Sequence, residues 1–303
     1  MDRHDVLVLG AGLAGLRAAT HLATAGLDVV VLEAQDAVGG RQRTDAVDGF
    51  LLDRGFQVLN PAYPAVQRWV DVEALGLRSF PVGVRVRREH ALVELAHPIR
   101  HPSRLRATLA SGLLDPRELA GLAAWAAPAI AAPRHAIRAA RTGDDARLAE
   151  EWDRLGVRGP LRREVLEPFL AGVLAEDAGA TSDAFVRLLV RMFALGRPGL
   201  PTGGIQALPE QLADVARRAG ADIRLQRHAE RIATDAGTVR VDVVGGDPVR
   251  ADAAIVAVGA EHVSSLVDVH TPPTRGLQTW WFDAPSSPTR SRMLHLDGTR
   301  SGP

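Results

Sequence analysis

Val6-Leu7-Val8-Leu9 is an unbroken apolar run, the pattern of a strand buried on both faces of a parallel sheet. A glycine turn follows. Residues 13–25 then carry apolar positions at helical spacing, with Gly26 suited to stop the helix. A second β-rich run covers Asp28 to Glu33, so the first thirty-odd residues read as strand, glycine turn, helix and strand. Residues 46–59 predict short strands or a hairpin around Gly49 and Gly55. Residues 82–95 predict a hairpin whose turn is the charged Arg88-Glu89-His90.

From Ser103 to about Leu195 the strand signals vanish, and arginine, alanine and leucine punctuated by proline predict a helical insertion. Pro198 to Gly204 reads as a loop and Gln206 to Ala219 as a helix. Ile223-Arg224-Leu225 is a short strand, a hairpin runs through Val239 to Val243, and Ala253 to Val258 is a further buried strand. The tail, Thr271 to Pro303, alternates and carries prolines without closing into a unit.

The 303 residues suit roughly two domains. The 36 basic and 36 acidic residues cancel, and no basic run stands out, which argues against a nucleic-acid partner. There is no cysteine, so disulfides, thiolate metal sites and a cysteine nucleophile are excluded, and a cytoplasmic location is expected. Every basic residue is arginine. Without lysine no side chain forms a Schiff base. The N-terminus lacks the cationic start of a signal peptide, and Leu119 to Pro133 is too short to span a bilayer. A soluble protein is expected, with peripheral membrane contact left open.

The chemistry sits in the glycines. Gly10-Ala11-Gly12-Leu13-Ala14-Gly15 follows a strand and opens a helix. Gly10 permits the tight turn, Gly12 lets backbone N–H groups approach a pyrophosphate, and Gly15 with Ala19 lets the helix lie close on the sheet. Glu33 ends the second strand 18 residues beyond Gly15, where a carboxylate accepts hydrogen bonds from a ribose diol. Val38-Gly39-Gly40-Arg41-Gln42-Arg43-Thr44 comes next, adding close backbone approach and a countercharge.

With its G-x-G-x-x-G, acidic residue and G-G-R-x-x-T, the chain resembles the superfamily of flavin-dependent amine oxidases, phytoene desaturases and protoporphyrinogen oxidases. Asp53-Arg54-Gly55-Phe56-Gln57 resembles the family's D-x-G segment and Pro201-Thr202-Gly203-Gly204 its P-x-G-G motif. The stretch Gly220 to Ile232, with Ala229 where valine is usual, resembles the strand whose backbone meets the adenine, and Ala251 to Val258 resembles the later A-D-x-V-I-x-A segment. The resemblance covers about residues 5–60 and 198–268.

It implies FAD, held by Gly10, Gly12, Leu13, Ala14, Gly15, Glu33, Ala34, Gly40, Arg41, Gly55, Phe56, Gln57 and Ala229. It also implies an α/β fold: a Rossmann-like FAD/NAD(P)-binding domain (residues 1–80 and 199–268) with an inserted α+β substrate domain (81–198 and 269–303). The expected activity is that of an FAD-dependent oxidoreductase taking hydride from a small, hydrophobic organic substrate, with no catalytic side chain assigned. The family's C-terminal G-D motif has no counterpart after residue 260, and Asp297-Gly298 is in the reverse order. A truncated member is therefore expected, and a non-catalytic fragment and an NAD-dependent dehydrogenase remain as rivals. His97 and His101 each precede a proline and read as loop histidines, so no metal site is expected. Trp280-Trp281-Phe282 is expected to pack against a sheet.

Overall fold

The computed structural model describes residues 3–301 apart from 99, 135, 136, 139–141, 143, 144 and 236. Ile99 of the His97–Pro102 stretch and the chain's last two residues therefore lie outside the described residues. The chain divides into two compact units. The first comprises residues 1–59, 65–78 and 200–281; the second comprises 60–64, 79–199 and 282–303.

The first unit is built on β1 (Arg3–Leu9), α1 (Leu13–Thr24), β2 (Val29–Leu32), a hairpin of β3 (Thr44–Val47) and β4 (Phe50–Asp53), α2 (Ala207–Arg218), β5 (Asp222–Arg224), β6 (Ala229–Asp235), β7 (Thr238–Val243), β8 (Val249–Val256) and α3 (Ala260–Leu266). Six strands form one sheet in the order β6-β7-β8-β1-β2-β5. The pairs β8-β1, β1-β2 and β2-β5 are parallel, while β6-β7 and β7-β8 are antiparallel.

The unbroken apolar runs have a direct physical use. Along β1 and β2, Val6, Val8, Val29 and Val31 pack on one face with Leu16, Ala19 and Ala23 of α1 and Leu212, Ala213 and Ala216 of α2. Leu7, Leu9, Val30 and Leu32 face the other way, against Val241, Val243, Ala251 and Leu266. Successive side chains alternate faces, so a strand covered on both must be apolar at every position. The α/β, Rossmann-like class expected from the sequence is what forms. β8 starts at Val249, four residues before the expected Ala253, because Val249 and Arg250 pair with β7. In the β3-β4 turn Asp48 and Gly49 both have positive φ (49° and 84°), the two-residue turn whose twist matches the strands it joins.

The second unit holds a three-stranded sheet and helices. Gly83–Arg87 pairs antiparallel with Leu92–Ala96 and parallel with Leu294–Asp297. The tail thus closes a sheet, where the sequence offered only loose pieces. Helices Pro116–Ala131, Leu148–Arg154, Glu167–Leu174 and Asp183–Leu195 surround a core in which Trp125 and Trp152 meet edge to face, centroids 5.6 Å apart. Asp115 and Ser182 cap the first and last of these. Glu118 is almost fully buried. Its carboxylate accepts backbone N–H bonds from Gly159 (2.8 Å), Leu161 (3.1 Å) and Arg162 (2.9 Å). A Cβ on Gly159 would come within 2.1 Å of Glu118 Oε2, so a side chain there would push the carboxylate away from these donors.

Two expectations are corrected. Residues 269–281, expected with the insertion, belong to the first unit, where Trp281 Nε1 donates to the Asp53 carbonyl at 3.2 Å. Residues 60–64 join the second unit instead, with Asn60 Nδ2 on the Met192 carbonyl (2.9 Å). Nor does Trp280-Trp281-Phe282 pack against a sheet: the three are 70%, 48% and 83% exposed. Pro272, Pro273, Pro285 and Pro288 flank them and deny that stretch a strand ladder. No helix among the described residues is long and apolar enough to cross a membrane.

Removing the Glu118 carboxylate orphans three backbone donors in a dry site. Glu118→Ala is expected to lose about 3 kcal/mol of stability, read as a lower urea midpoint by fluorescence of Trp125 and Trp152. An unchanged midpoint would refute the role given to this carboxylate.

Candidate functional site

β1 ends at Leu9 and the chain turns at Gly10, whose φ of 102° is open to glycine and strained for other residues. A Cβ there would also press within 2.8 Å of the Ala257 carbonyl oxygen. A Cβ on Gly15 would stand only 1.9 Å from the Gly10 carbonyl oxygen, so the first turn of α1 lies on the loop itself. Gly12 is different. A Cβ at that position would meet nothing within 4 Å, so its missing side chain leaves open space above the helix end.

The end of α1 is chemically bare. Its first helical bond is Leu16 N–H to the Gly12 carbonyl (2.9 Å), which leaves the N–H groups of Leu13, Ala14 and Gly15 without helical acceptors. No side chain caps the helix and no acidic residue stands in its first turn. Free donors and the positive end of the helix dipole thus face the space above Gly12, the arrangement that receives a phosphate group.

Glu33 is buried and reaches back to this loop. Its Oε2 accepts from Ala11 N–H at 2.7 Å and its Oε1 from Gln35 N–H at 2.9 Å. Each oxygen keeps a lone pair for a further donor. The Ala11 carbonyl accepts from Gly39 N–H at 2.9 Å, which draws the second glycine pair onto the first loop. Gly40, at φ 57°, lies so close that its Cβ would sit 3.5 Å from the Gly12 Cα. The adjacent Arg41 side chain is exposed and forms no ion pair with a described residue.

A second set of bonds holds these loops from behind. Asp53 Oδ1 accepts from the Thr44 hydroxyl (2.6 Å) and from Ile205 N–H (2.9 Å). Thr44 Oγ1 accepts from Gln206 N–H (3.0 Å), and Gln206 Nε2 donates to the Val38 carbonyl (2.6 Å). Gly204, at φ 78°, has to be glycine because a Cβ would reach Thr44 Oγ1 at 2.5 Å. Gln57 Nε2 donates to the carbonyls of Arg41 (2.8 Å) and Arg54 (3.0 Å), so the Gly55–Gln57 segment is fastened to the Arg41 backbone.

The structure therefore gathers Gly10, Gly12, Leu13, Ala14, Gly15, Glu33 and Gly40 around one turn and ties Arg41, Gly55 and Gln57 beside it. Phe56 is 55% exposed, and Ala34 is exposed beside Glu33. Ala229 opens β6 two residues after Arg227, whose N–H bonds the Glu33 carbonyl at 2.8 Å. Sequence reasoning missed the Ala11 peptide and Gln206. A lone glutamine at a helix start gives no signal, since its partner Val38 is remote in the chain. Among the described residues no group of three or more His, Cys, Asp or Glu is placed to hold a metal.

Residues 13–286 match the model of a family described as flavin containing amine oxidoreductase. Over 278 residues the chain is 30% identical to the zeta-carotene-forming phytoene desaturase of Myxococcus xanthus, covering 82% of this chain and 52% of that protein. A stretch of 76 residues, 25% of this chain and 16% of the relative, is 47% identical to putrescine oxidase of Kocuria rosea. A solved oxidoreductase from Methanosarcina mazei has the same fold, with a TM-score of 0.66 at 21% identity over 87% of this chain and 61% of that one. The chain thus spans about half the length of the desaturase it matches.

Gly15 and Gly12 make opposite predictions for the protein without ligand. Gly15→Ala is expected to cost about 3 kcal/mol or more, or to prevent folding. Gly12→Ala is expected to stay within about 1 kcal/mol of the parent. Equal thermal melting of the two variants would contradict the packing described.

Proposed function

The chain belongs to the family of flavin-containing amine oxidoreductases, and we propose that it is an FAD-dependent oxidoreductase whose first unit carries the dinucleotide. The observation that supports this best is the open space at Gly12, faced by the bare end of α1 and flanked by Glu33 and Arg41. The residues fit the group. In this reading the N–H groups of Leu13, Ala14 and Gly15 receive the pyrophosphate, and the helix dipole favours its charge. The Arg41 guanidinium supplies a countercharge from the Gly40 side.

Glu33 takes the adenosine ribose: its two oxygens, fixed by Ala11 and Gln35, keep lone pairs for a pair of vicinal hydroxyls. Ala34 and Ala229 flank the adenosine end, and Gly55, Phe56 and Gln57 run toward the flavin ring. When bound, the flavin provides an acceptor at N5 for a hydride leaving a carbon of the substrate. The protein's part is to bind, orient and exclude water. No lysine or cysteine is present to act as a covalent nucleophile.

A hydrophobic substrate is the reading favoured here. The insertion is rich in alanine and leucine, and the aligned sequence shared with the phytoene desaturase covers 82% of this chain against 25% for the putrescine oxidase, although a solved putrescine oxidase structure shares the fold over 88%. An apolar, polyene- or porphyrinogen-like molecule suits this better than a small amine. The absence of cysteine suits a reducing, cytoplasmic setting.

Purified protein reconstituted with FAD is expected to hold it in a one-to-one ratio with a resolved flavin absorbance band. Gly12→Ala is expected to fold as the parent does yet bind FAD at least about tenfold more weakly, since its methyl group fills the space the pyrophosphate needs. Parental affinity in Gly12→Ala would refute this placement. Reduction of the bound flavin by putrescine but not by a polyene would overturn the substrate assignment.

A further inference from the structure

Helix Pro116–Ala131 of the second unit turns an apolar face to solvent. Its buried residues, Glu118, Gly121, Trp125 and Ala129, form one stripe, which packs toward helices Leu148–Arg154 and Asp183–Leu195. On the opposite side Leu119, Ala123, Ala127 and Ala131 recur every four residues, and all are exposed. From Leu119 to Pro133 no side chain is charged. Only Trp125 carries a hydrogen-bonding group there, and its Nε1 donates inward to Asp183 at 2.6 Å. A helix on a protein surface ordinarily turns polar residues to water, whereas one that is apolar all round is covered by protein or lipid.

The charge beyond the end of this strip has one sign. No acid occurs between Leu119 and Gly143, a stretch that holds Arg134, Arg138 and Arg141. Arg134 and Arg138 are exposed and form no ion pair with a described residue, and Ile137 between them is exposed as well. Ile137 N–H bonds the Pro133 carbonyl (2.9 Å), so a helical turn follows Pro133. At the other end Asp115 keeps its charge and offsets Arg117, whose backbone N–H it caps at 2.9 Å. The acids of the packed faces are bonded inward: Glu118 to backbone N–H groups, Asp183 to Trp125 and Arg187, and Glu151 to Arg154 and Arg187.

Size decides between occupants. A strip 16 residues long and about 10 Å wide offers roughly 240 Å². That is far below the ~800 Å² each partner gives to a stable protein interface, which disfavours a second copy of this chain. A bilayer asks for no such matched surface. Its acyl boundary receives an apolar helix face lying in the membrane plane, and anionic headgroups attract the arginines beside it.

We propose that the outer face of helix Pro116–Ala131, with Arg134, Ile137 and Arg138, docks on a membrane surface containing anionic phospholipid. The inference goes beyond the flavin reading and does not depend on it.

The test is sedimentation of the full chain with vesicles of equal parts phosphatidylcholine and phosphatidylglycerol, against vesicles of phosphatidylcholine alone. Binding to the anionic vesicles is expected to be at least about tenfold tighter and to weaken as salt is raised. Ala123→Glu sets a charge in the centre of the apolar strip, at an exposed position where glutamate is a good helix former. It is expected to lower that binding about tenfold or more at an unchanged melting temperature. Arg134→Gln combined with Arg138→Gln is expected to lower it by a similar factor. Equal binding to both vesicles, binding to neither, undiminished binding in Ala123→Glu, or a dimer in solution that Ala123→Glu dissociates would each overturn the proposal. FAD affinity is expected to be unchanged in these variants.

Discussion

The Ala11 peptide group is fastened on both sides. Its N–H donates to the Glu33 carboxylate and its carbonyl accepts from Gly39, so three segments meet in two hydrogen bonds. Glu33 follows β2 directly, Ala11 lies two residues beyond β1, and Gly39 opens the second glycine pair. The buried carboxylate costs desolvation, and its charge is balanced by oriented N–H groups, which a carboxylate accepts strongly. Because both bonds use main-chain atoms, side-chain truncation at Ala11 leaves them intact, whereas the glycines around it are fixed by space. Gly15 has no room for a methyl group and Gly12 has room above it for something larger. One loop thus separates what the fold requires from what a ligand requires.

Behind it, the Asp53–Thr44–Gln206 chain of hydrogen bonds brings together loops that lie far apart in sequence. Its work is positional. Gln206 holds the Val38 carbonyl, and the Gly39-Gly40 pair follows directly, so the close approach of Gly40 to Gly12 is set in part by the start of α2. Gln57 extends the same logic to the Arg41 backbone. The short segments of the site are held together because buried or short side chains, those of Glu33, Thr44, Asp53, Gln206 and Gln57, reach across from one segment to bond the next.

Much of this was legible in the amino-acid pattern. The apolar runs at Val6–Leu9 and Val29–Leu32 announce strands buried on both faces, and the glycine spacing with Glu33 announces the turn. The I′ turn at Asp48-Gly49 and the hairpin around Arg88-Glu89-His90 likewise follow from local chemistry. Gln206 was not legible, because its bond to Val38 exists only once two distant loops meet. Glu118 was hidden for a similar reason: a glutamate early in a helix reads as solvated, and only the close packing of Gly159 buries it. The tryptophan pair at 280–281 misled in the other direction, since apolar bulk signals burial while the flanking prolines prevent the strand that would supply it.

The Ala11–Glu33–Gly39 junction and the end of α1 are proposed to form, within the first unit, a complete receptor for the ADP portion of a dinucleotide. Calorimetric titration of the full chain with ADP and with FMN tests it most directly. The two ligands share a phosphate, but only ADP carries an adenosine ribose diol and a pyrophosphate. Saturable binding of ADP, with FMN bound at least about tenfold more weakly, is the predicted result. FMN binding as tightly as ADP, or no binding of ADP by folded protein, would contradict it.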